Sequence, residues 1–133
     1  KKADILIMAA APADFTPKKA ASQKIKKEGR ESFKLELSST IDILKAVVKD
    51  KKKGKRIVGF ALETENGVKN ATAKLKNKGL DLAILNSMED GVPFESDQNK
   101  VTLIDKKGHI EPVPAMPKME LARVLIEKIS RLK

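Results

Sequence analysis

Three short runs of apolar residues recur along the chain, each bounded by polar or turn-forming residues. Within a run the apolar residues are nearly continuous and do not alternate with polar ones, which is typical of strands buried on both faces of a parallel sheet. The predicted buried strands cover residues 4–10, 56–62 and 80–86. We therefore expect a sheet whose central strands are parallel.

Amphipathic segments lie between and after these runs. Apolar side chains at helical spacing predict a helix that begins at a Ser38-Ser39-Thr40 cap and ends near Asp50. A second helix is expected over about 67–78, closed by Gly79, and a third over 119–132. Buried strands that alternate with helices predict an α/β fold with a Rossmann-like, mainly parallel sheet and flanking helices.

The remaining segments are less regular. Apolar and polar residues alternate over 33–37, which predicts a half-exposed strand, and residues 101–103 with 110–113 predict a C-terminal β-hairpin. Residues 11–30 are rich in Pro, Ala, Ser and Lys without periodicity, so we interpret them as a functional flap. Residues 87–99 are expected to form a second long loop.

Small and polar residues gather where the predicted buried strands end. Met8-Ala9-Ala10 lead to Asp14 after the first strand, Phe60 lies near the end of the second, and Asn86 ends the third. In parallel sheets, ligands bind in the crevice at the carboxyl ends of the strands. These residues therefore predict a ligand site at one edge of the sheet.

The composition narrows the chemistry. The 133 residues suffice for one domain and include no Cys and a single His109, which excludes disulfide scaffolds and thiol catalysis and argues against a His-based site. The net charge of +10 favours either a polyanionic partner or the lysine-rich solvated surface that is typical of thermophiles. Aromatic residues make up only 3%, which argues against base stacking on single-stranded nucleic acid.

Several absences bear on the class of protein. No apolar run reaches the roughly 20 residues that span a bilayer, so we expect a soluble, cytoplasmic protein with no membrane partner. Neither a GxGxxG nor a Walker A motif is present. The chain begins at Lys1, just before a predicted core strand, which favours a truncated domain that lacks its N-terminal part.

Four motifs, in this order, resemble one known family. Residues 9–15 read AAAPADF, residues 24–27 read KIKK, residues 59–64 read GFALET and residues 94–99 read FESDQN. These motifs and their order are similar to AAAVADY, KIKK, GFAAET and FxSDxN, the pattern of the phosphopantothenoylcysteine synthetase (phosphopantothenate–cysteine ligase) family. That family forms the C-terminal part of bifunctional coenzyme A biosynthesis flavoproteins. The resemblance extends over nearly the whole chain.

The resemblance implies a CTP-dependent ligase of coenzyme A biosynthesis. Such enzymes join phosphopantothenate to L-cysteine through an acyl-cytidylate, use Mg²⁺, and release CMP and pyrophosphate. The resemblance further implies a homodimer, with FMN held only by a fused or associated decarboxylase. Residues 1–133 would then be the C-terminal portion of a single ligase domain without its N-terminal Gly-rich part.

The resemblance also implies roles for residues of this sequence. Lys24 is the flap lysine expected to cover the reacting phosphate and carboxylate. Asp14 is expected to orient the nucleotide or its Mg²⁺, and Phe60 to line the base and ribose pocket. The other implied nucleotide-binding residues, which act through the backbone or a lysine side chain, are Met8, Ala9, Ala10, Ile41, Asp42, Ile43, Leu44, Lys74 and Lys78.

Two departures from the family pattern leave alternatives open. Thr40-Ile41 stand where the family has Asn-Pro, which removes any contact made through the Asn side chain. The Gly-rich N-terminal segment of the family is absent, so an inactive nucleotide-binding fragment is one alternative. A basic, non-enzymatic nucleic-acid-binding module is the other. That module predicts steep salt dependence and indifference to nucleotide identity.

Overall fold

Three short strands open the described chain, helices and strands then alternate, and a hairpin and a helix end it. The structure, a computed structural model, describes residues 3–27, 29, 31–88 and 96–132. Its strands are β1 (Ile5–Met8), β2 (Phe15–Pro17), β3 (Leu37–Ser39), β4 (Arg56–Glu63), β5 (Leu82–Ser87), β6 (Gln98–Asp105) and β7 (Ile110–Pro117). Its helices are α1 (Ile43–Lys49), α2 (Gly67–Lys78) and α3 (Lys118–Ser130).

Five of these strands form one sheet in the order β1-β4-β5-β6-β7, while β2 and β3 form a separate antiparallel pair. The pairs β1–β4 and β4–β5 are parallel, and β6 is antiparallel to both of its neighbours. Four of the five strands in the large sheet thus point the same way. The predicted α/β class, mainly parallel sheet and C-terminal hairpin are confirmed.

Helices cover both faces of the large sheet. Leu44 of α1 and Leu75 of α2 belong to the hydrophobic cluster on one face, and Leu125 of α3 belongs to the cluster on the other. Strand β4 contributes residues to both clusters, because successive strand residues such as Ile57 and Val58 point to opposite faces of the sheet. A strand covered on both faces needs apolar residues at every position, which explains the continuous apolar runs.

The end of α2 confirms the prediction at Gly79. Gly79 adopts the left-handed conformation with φ of 61°, and its N–H bonds to carbonyls of the last helical turn. A Cβ atom at this position would lie 2.8 Å from Cγ1 of Val48. The glycine therefore closes α2 and also lets α1 pack closely against the helix end.

Three local predictions differ from the structure. Helix α1 does not begin at Ser38–Thr40, because Ser38 and Ser39 lie in β3 and Asp42 is the N-cap. The half-exposed strand predicted at 33–37 forms only at Leu37, because pairing between β2 and β3 covers three residues on each strand. Residues 11–30, expected without regular structure, contain β2.

The second predicted loop, residues 87–99, is described at its two ends. Residues 89–95, which include Phe94 and Glu95 of the fourth motif, lie outside the described residues. Strand β6 begins at Gln98, so the hairpin takes up the end of the predicted loop. Among the described residues, no helix is long and apolar enough to cross a membrane.

Candidate functional site

A cleft of about 520 Å³ lies at the carboxyl ends of β1, β4 and β5. The segment after β1, the start of α1 and the last turns of α2 form its walls. Asn86, at the end of β5, lines it as well. The predicted site residues that line the cleft are Met8, Ala9, Ala10, Asp14, Ile41, Asp42, Ile43, Leu44, Phe60, Lys74 and Lys78.

Lys24 is the one predicted site residue that does not line this cleft. It lies in the segment between β2 and β3, where its side chain is exposed. A flap lysine has to reach the cleft by movement of this segment or from another copy of the chain. The role expected of Lys24 therefore stays a prediction.

Thr40 fixes the segment that carries Asp14. Its hydroxyl donates to the carbonyl of Ala13 at 2.6 Å, and its N–H donates to the carbonyl of Asp14 at 2.9 Å. These two bonds extend the β2–β3 pairing and hold one wall of the cleft beside the start of α1. In the sequence Thr40 stood out as part of a predicted helix cap and as a departure from the family pattern, and no local signal identified this contact.

Asp42 connects the two helices that border the cleft. One carboxylate oxygen accepts the N–H of Lys45 at 3.0 Å, which caps α1, and the other accepts the ammonium of Lys78 in α2. The hydrogen bond from Lys78, followed by that from the Lys45 N–H, holds the pKa of Asp42 below its ordinary value. Asp42 is therefore a carboxylate at neutral pH, and it balances the charge of Lys78.

Lys74 is held differently. Its ammonium donates to the carbonyl of Phe60 at 2.8 Å, while the Phe60 side chain packs against the cluster beneath α3. A carbonyl is neutral, so Lys74 keeps its net positive charge, whereas Lys78 is paired with Asp42. Of the two lysines, Lys74 is the better placed to attract an anion into the cleft.

The sequence of this chain also matches a known protein family. Residues 1–132 match the DNA/pantothenate metabolism flavoprotein C-terminal domain. The chain belongs to this family.

Individual members of the DNA/pantothenate metabolism flavoprotein family agree with this match. The chain is 41% identical to the coenzyme A biosynthesis bifunctional protein CoaBC of Bacillus subtilis over 130 residues, which cover 97% of this chain and 32% of that protein. It is 43% identical over 133 residues to a cysteine/cysteine sulfinic acid decarboxylase from an unknown prokaryotic organism, covering 99% of this chain and 37% of that protein. The chain thus spans about a third of the length of these relatives.

A solved member shares the fold. The crystal structure of the C-terminal domain of a CoaBC protein superposes with a TM-score of 0.72 at 30% identity. The match covers 96% of this chain and 54% of that domain. The Rossmann-like α/β architecture described above is therefore the architecture of this family.

The turn that follows β4 in this family member was not anticipated from its sequence. Asn66 precedes α2 in the left-handed conformation with φ of 52°. The amide of Asn70 donates to the Glu63 carboxylate and to the Glu65 carbonyl, both at 3.0 Å. These bonds fix the turn that carries the end of the GFALET motif. Asn tolerates the left-handed region better than most residues, so the Glu-Asn-Gly sequence was the available signal.

Asp14 is the carboxylate that the sequence assigns to a metal. Within the described part of the chain, no group of three or more His, Cys, Asp or Glu side chains is arranged to hold a metal ion. Mg²⁺ in nucleotide sites is commonly held by one or two carboxylates together with substrate phosphates. Asp14 lines the cleft, so it fits an ion that arrives with a nucleotide and not a preformed metal centre.

Proposed function

We propose that this chain forms the nucleotide-binding part of a phosphopantothenate–cysteine ligase that uses CTP. The cleft at the strand ends carries the proposal, since it brings residues of the first and third motifs together with Asp42, Lys74 and Lys78, to which the resemblance assigns nucleotide binding. Family membership supports it, because relatives include bifunctional proteins of coenzyme A biosynthesis. The expected products are phosphopantothenoylcysteine, CMP and pyrophosphate.

The proposed chemistry has two steps. The carboxylate of phosphopantothenate attacks the α-phosphorus of CTP and pyrophosphate leaves; the amine of L-cysteine then displaces CMP and forms the amide. Negative charge increases around phosphorus during the first step, so a fixed cation in the cleft lowers its barrier. Lys74 supplies that cation, because its own hydrogen bond leaves its charge uncompensated.

Mg²⁺ belongs to the same proposal. When bound, it would supply charge neutralisation to the triphosphate. Asp14 would hold it together with phosphate oxygens, and the two bonds from Thr40 would keep the Asp14 segment in place. FMN has no role in this chain under the proposal, since it belongs to a fused or associated decarboxylase.

We further propose that the enzyme is a homodimer that covers the segment between β2 and β3. This segment and its flanking strands carry large apolar side chains that are about half exposed: Phe15 60%, Ile25 52%, Phe33 54%, Leu35 53% and Leu37 49%. A second copy packed on them would remove this apolar surface from water. Lys24 lies in the same segment, so the packing would also determine which cleft it reaches.

A thermal-shift experiment tests the nucleotide site. CTP, ATP, GTP and UTP are each added with Mg²⁺, beside a short DNA duplex. At about 100 times its dissociation constant, a ligand of the folded state adds about 2.7 kcal/mol of stability. We expect a rise with CTP that falls to about half in Lys74→Gln and is kept in Lys69→Gln, an exposed lysine at the other end of α2.

Other outcomes separate the alternatives. A salt-sensitive rise with DNA and none with nucleotides would favour the nucleic-acid-binding module. CTP binding without pyrophosphate release, when phosphopantothenate and L-cysteine are supplied, would identify a nucleotide-binding fragment that needs the rest of its domain. Equal rises with all four nucleotides would refute a preference for CTP while leaving the cleft as the site.

A further inference from the structure

The edge of the sheet opposite the cleft carries a concentrated positive charge. Two adjoining grooves of about 300 and 240 Å³ lie there, between the α1–β4 connection, the β6–β7 turn and the end of α3. Eight Lys and Arg side chains line the two grooves, against the carboxylates of Asp81 and Asp105 alone. We call residues 51–56 and 106–107 the cationic edge.

A buried carboxylate holds the two sides of the cationic edge together. Asp81 is only 8% exposed and accepts the N–H of Ile57 at 2.8 Å. It also accepts the ammonium of Lys51 at 2.5 Å and that of Lys106 at 3.4 Å. These bonds fix the α1–β4 connection relative to the β6–β7 turn, so the grooves between them are shaped before any ligand arrives.

Four further cations of the edge have no such compensation. Within the described residues, Lys52, Lys53, Arg56 and Lys107 make no ion pair, although all four line the grooves. Neighbouring like charges repel one another and raise the local potential. A ligand with several negative charges in a row would relieve this repulsion at several positions at once.

The residue types indicate which anion fits. Lysine binds phosphate as a point charge, whereas the arginine fork fits carboxylate and phosphate alike. Six of the eight groove cations are lysines, and among the described residues no aromatic side chain on which a nucleobase could stack lines the grooves. The chemistry is therefore suited to a flexible polyanion such as a chain of phosphates and not to base recognition.

We propose that the cationic edge is a second binding site, which takes successive groups of a phosphate chain. It is separate from the nucleotide cleft, since the grooves and the cleft share no lining residue in the described part of the chain. Along β4, Arg56 lines this edge and residues 60–62 line the cleft, which at about 3.3 Å per residue places the two linings roughly 13–20 Å apart.

Binding measurements with long-chain inorganic polyphosphate and with a DNA duplex test this site. The variant Lys52→Gln/Lys53→Gln/Lys107→Gln removes three uncompensated cations and leaves the Asp81 bonds intact. The control Lys19→Gln/Lys69→Gln/Lys118→Gln removes the same charge from exposed positions elsewhere. We expect the edge variant to weaken polyphosphate binding at least tenfold and to reduce the slope of log Kd against log salt by about 3, or about 1 per lost contact. The control variant should retain wild-type affinity within about twofold.

The two phosphate sources are distinguished by which polymer is lost in the edge variant. Loss of polyphosphate binding alone assigns the free polymer, and loss of both assigns any phosphate backbone. Equal weakening by the two triple variants would overturn the proposal, since it would mean attraction to net charge only. Tighter binding of polyglutamate than of polyphosphate, or no binding to the wild type at 50 mM salt, would overturn it as well. CTP binding in the edge variant provides an independent check of folding.

Discussion

Two lysines one helical turn apart on α2 have different charge environments, although their spacing makes them look equivalent. Lys78 is paired with Asp42, while Lys74 donates to the neutral carbonyl of Phe60. We predict that Lys74→Gln raises the Kd for CTP about tenfold, because a charge-assisted hydrogen bond is worth about 1.5–3 kcal/mol. Lys78→Gln should change it less than about threefold. Isothermal titration calorimetry of both variants at one salt concentration measures the difference.

Asp42→Asn is the matched control for this comparison. Asparagine caps helices as well as aspartate does, so α1 should remain intact. The change removes the charge that balances Lys78, and CTP should then bind as tightly as in the wild type or more tightly. Weaker CTP binding in Asp42→Asn, or equal losses in the two lysine variants, would contradict the assignment of the uncompensated charge to Lys74.

At the scale of elements, the contact between α1 and α2 depends on a glycine. Gly79 has φ of 61°, and an added Cβ would lie 2.8 Å from Val48. Gly79→Ala should therefore lower the free energy of unfolding by about 2–3 kcal/mol, about 1 from the left-handed backbone and the rest from overpacking. Gly54→Ala is the control, because Gly54 has φ of 84° but no atom within 4 Å of the added Cβ. Urea denaturation of both variants isolates the packing contribution; equal losses would refute it.

The same elements show how far the sequence alone can lead. Strands β4 and β5 were predictable because burial on both faces requires continuous apolar residues, and the end of α2 because Gly79 suits a left-handed cap. The start of α1 was not predictable in this way. Ser38 and Thr40 have the chemistry of a helix cap but are used in β3 and its extension, which depends on pairing with β2.

The sequence predicted the position of the candidate site but not the pairing of its charged residues. Its position followed from the strand ends, since parallel strands bring their carboxyl ends to one edge. The different charge environments of Lys74 and Lys78 could not be predicted from the sequence. Asp42 and Lys78 are 36 residues apart and meet only when α1 packs on α2. Local sequence patterns describe one element at a time, and this pair belongs to two.

For the whole molecule, Asp81 joins segments that are far apart in the chain, since Lys51 and Lys106 lie 30 and 25 residues from it. Burial raises the pKa of its carboxyl, but the hydrogen bonds from Lys51 and the Ile57 N–H, with the charge of Lys51, outweigh burial and hold the pKa below its ordinary value. The folded state therefore binds a proton at Asp81 less readily than the unfolded state does. This stabilisation is complete above the unfolded pKa of about 3.9 and is lost as the pH falls through the lower pKa of the folded state.

Asp81→Asn should reveal this dependence. At pH 7 the variant should be less stable than the wild type by about 1–3 kcal/mol, because Lys51 and Lys106 lose their charged partner while the Ile57 N–H can still be accepted by the amide oxygen. The difference should shrink steadily below about pH 4, as the wild-type carboxyl takes up its proton.

Asp4→Asn is the control, since Asp4 pairs with Lys55 at the surface with its side chain 84% exposed, and its loss should change stability little. Urea denaturation at several pH values provides the measurement. A gap between wild type and Asp81→Asn that stays constant down to pH 2.5 would mean that the Asp81 charge does not hold these segments together, and the cationic edge would then have to owe its shape to backbone pairing alone.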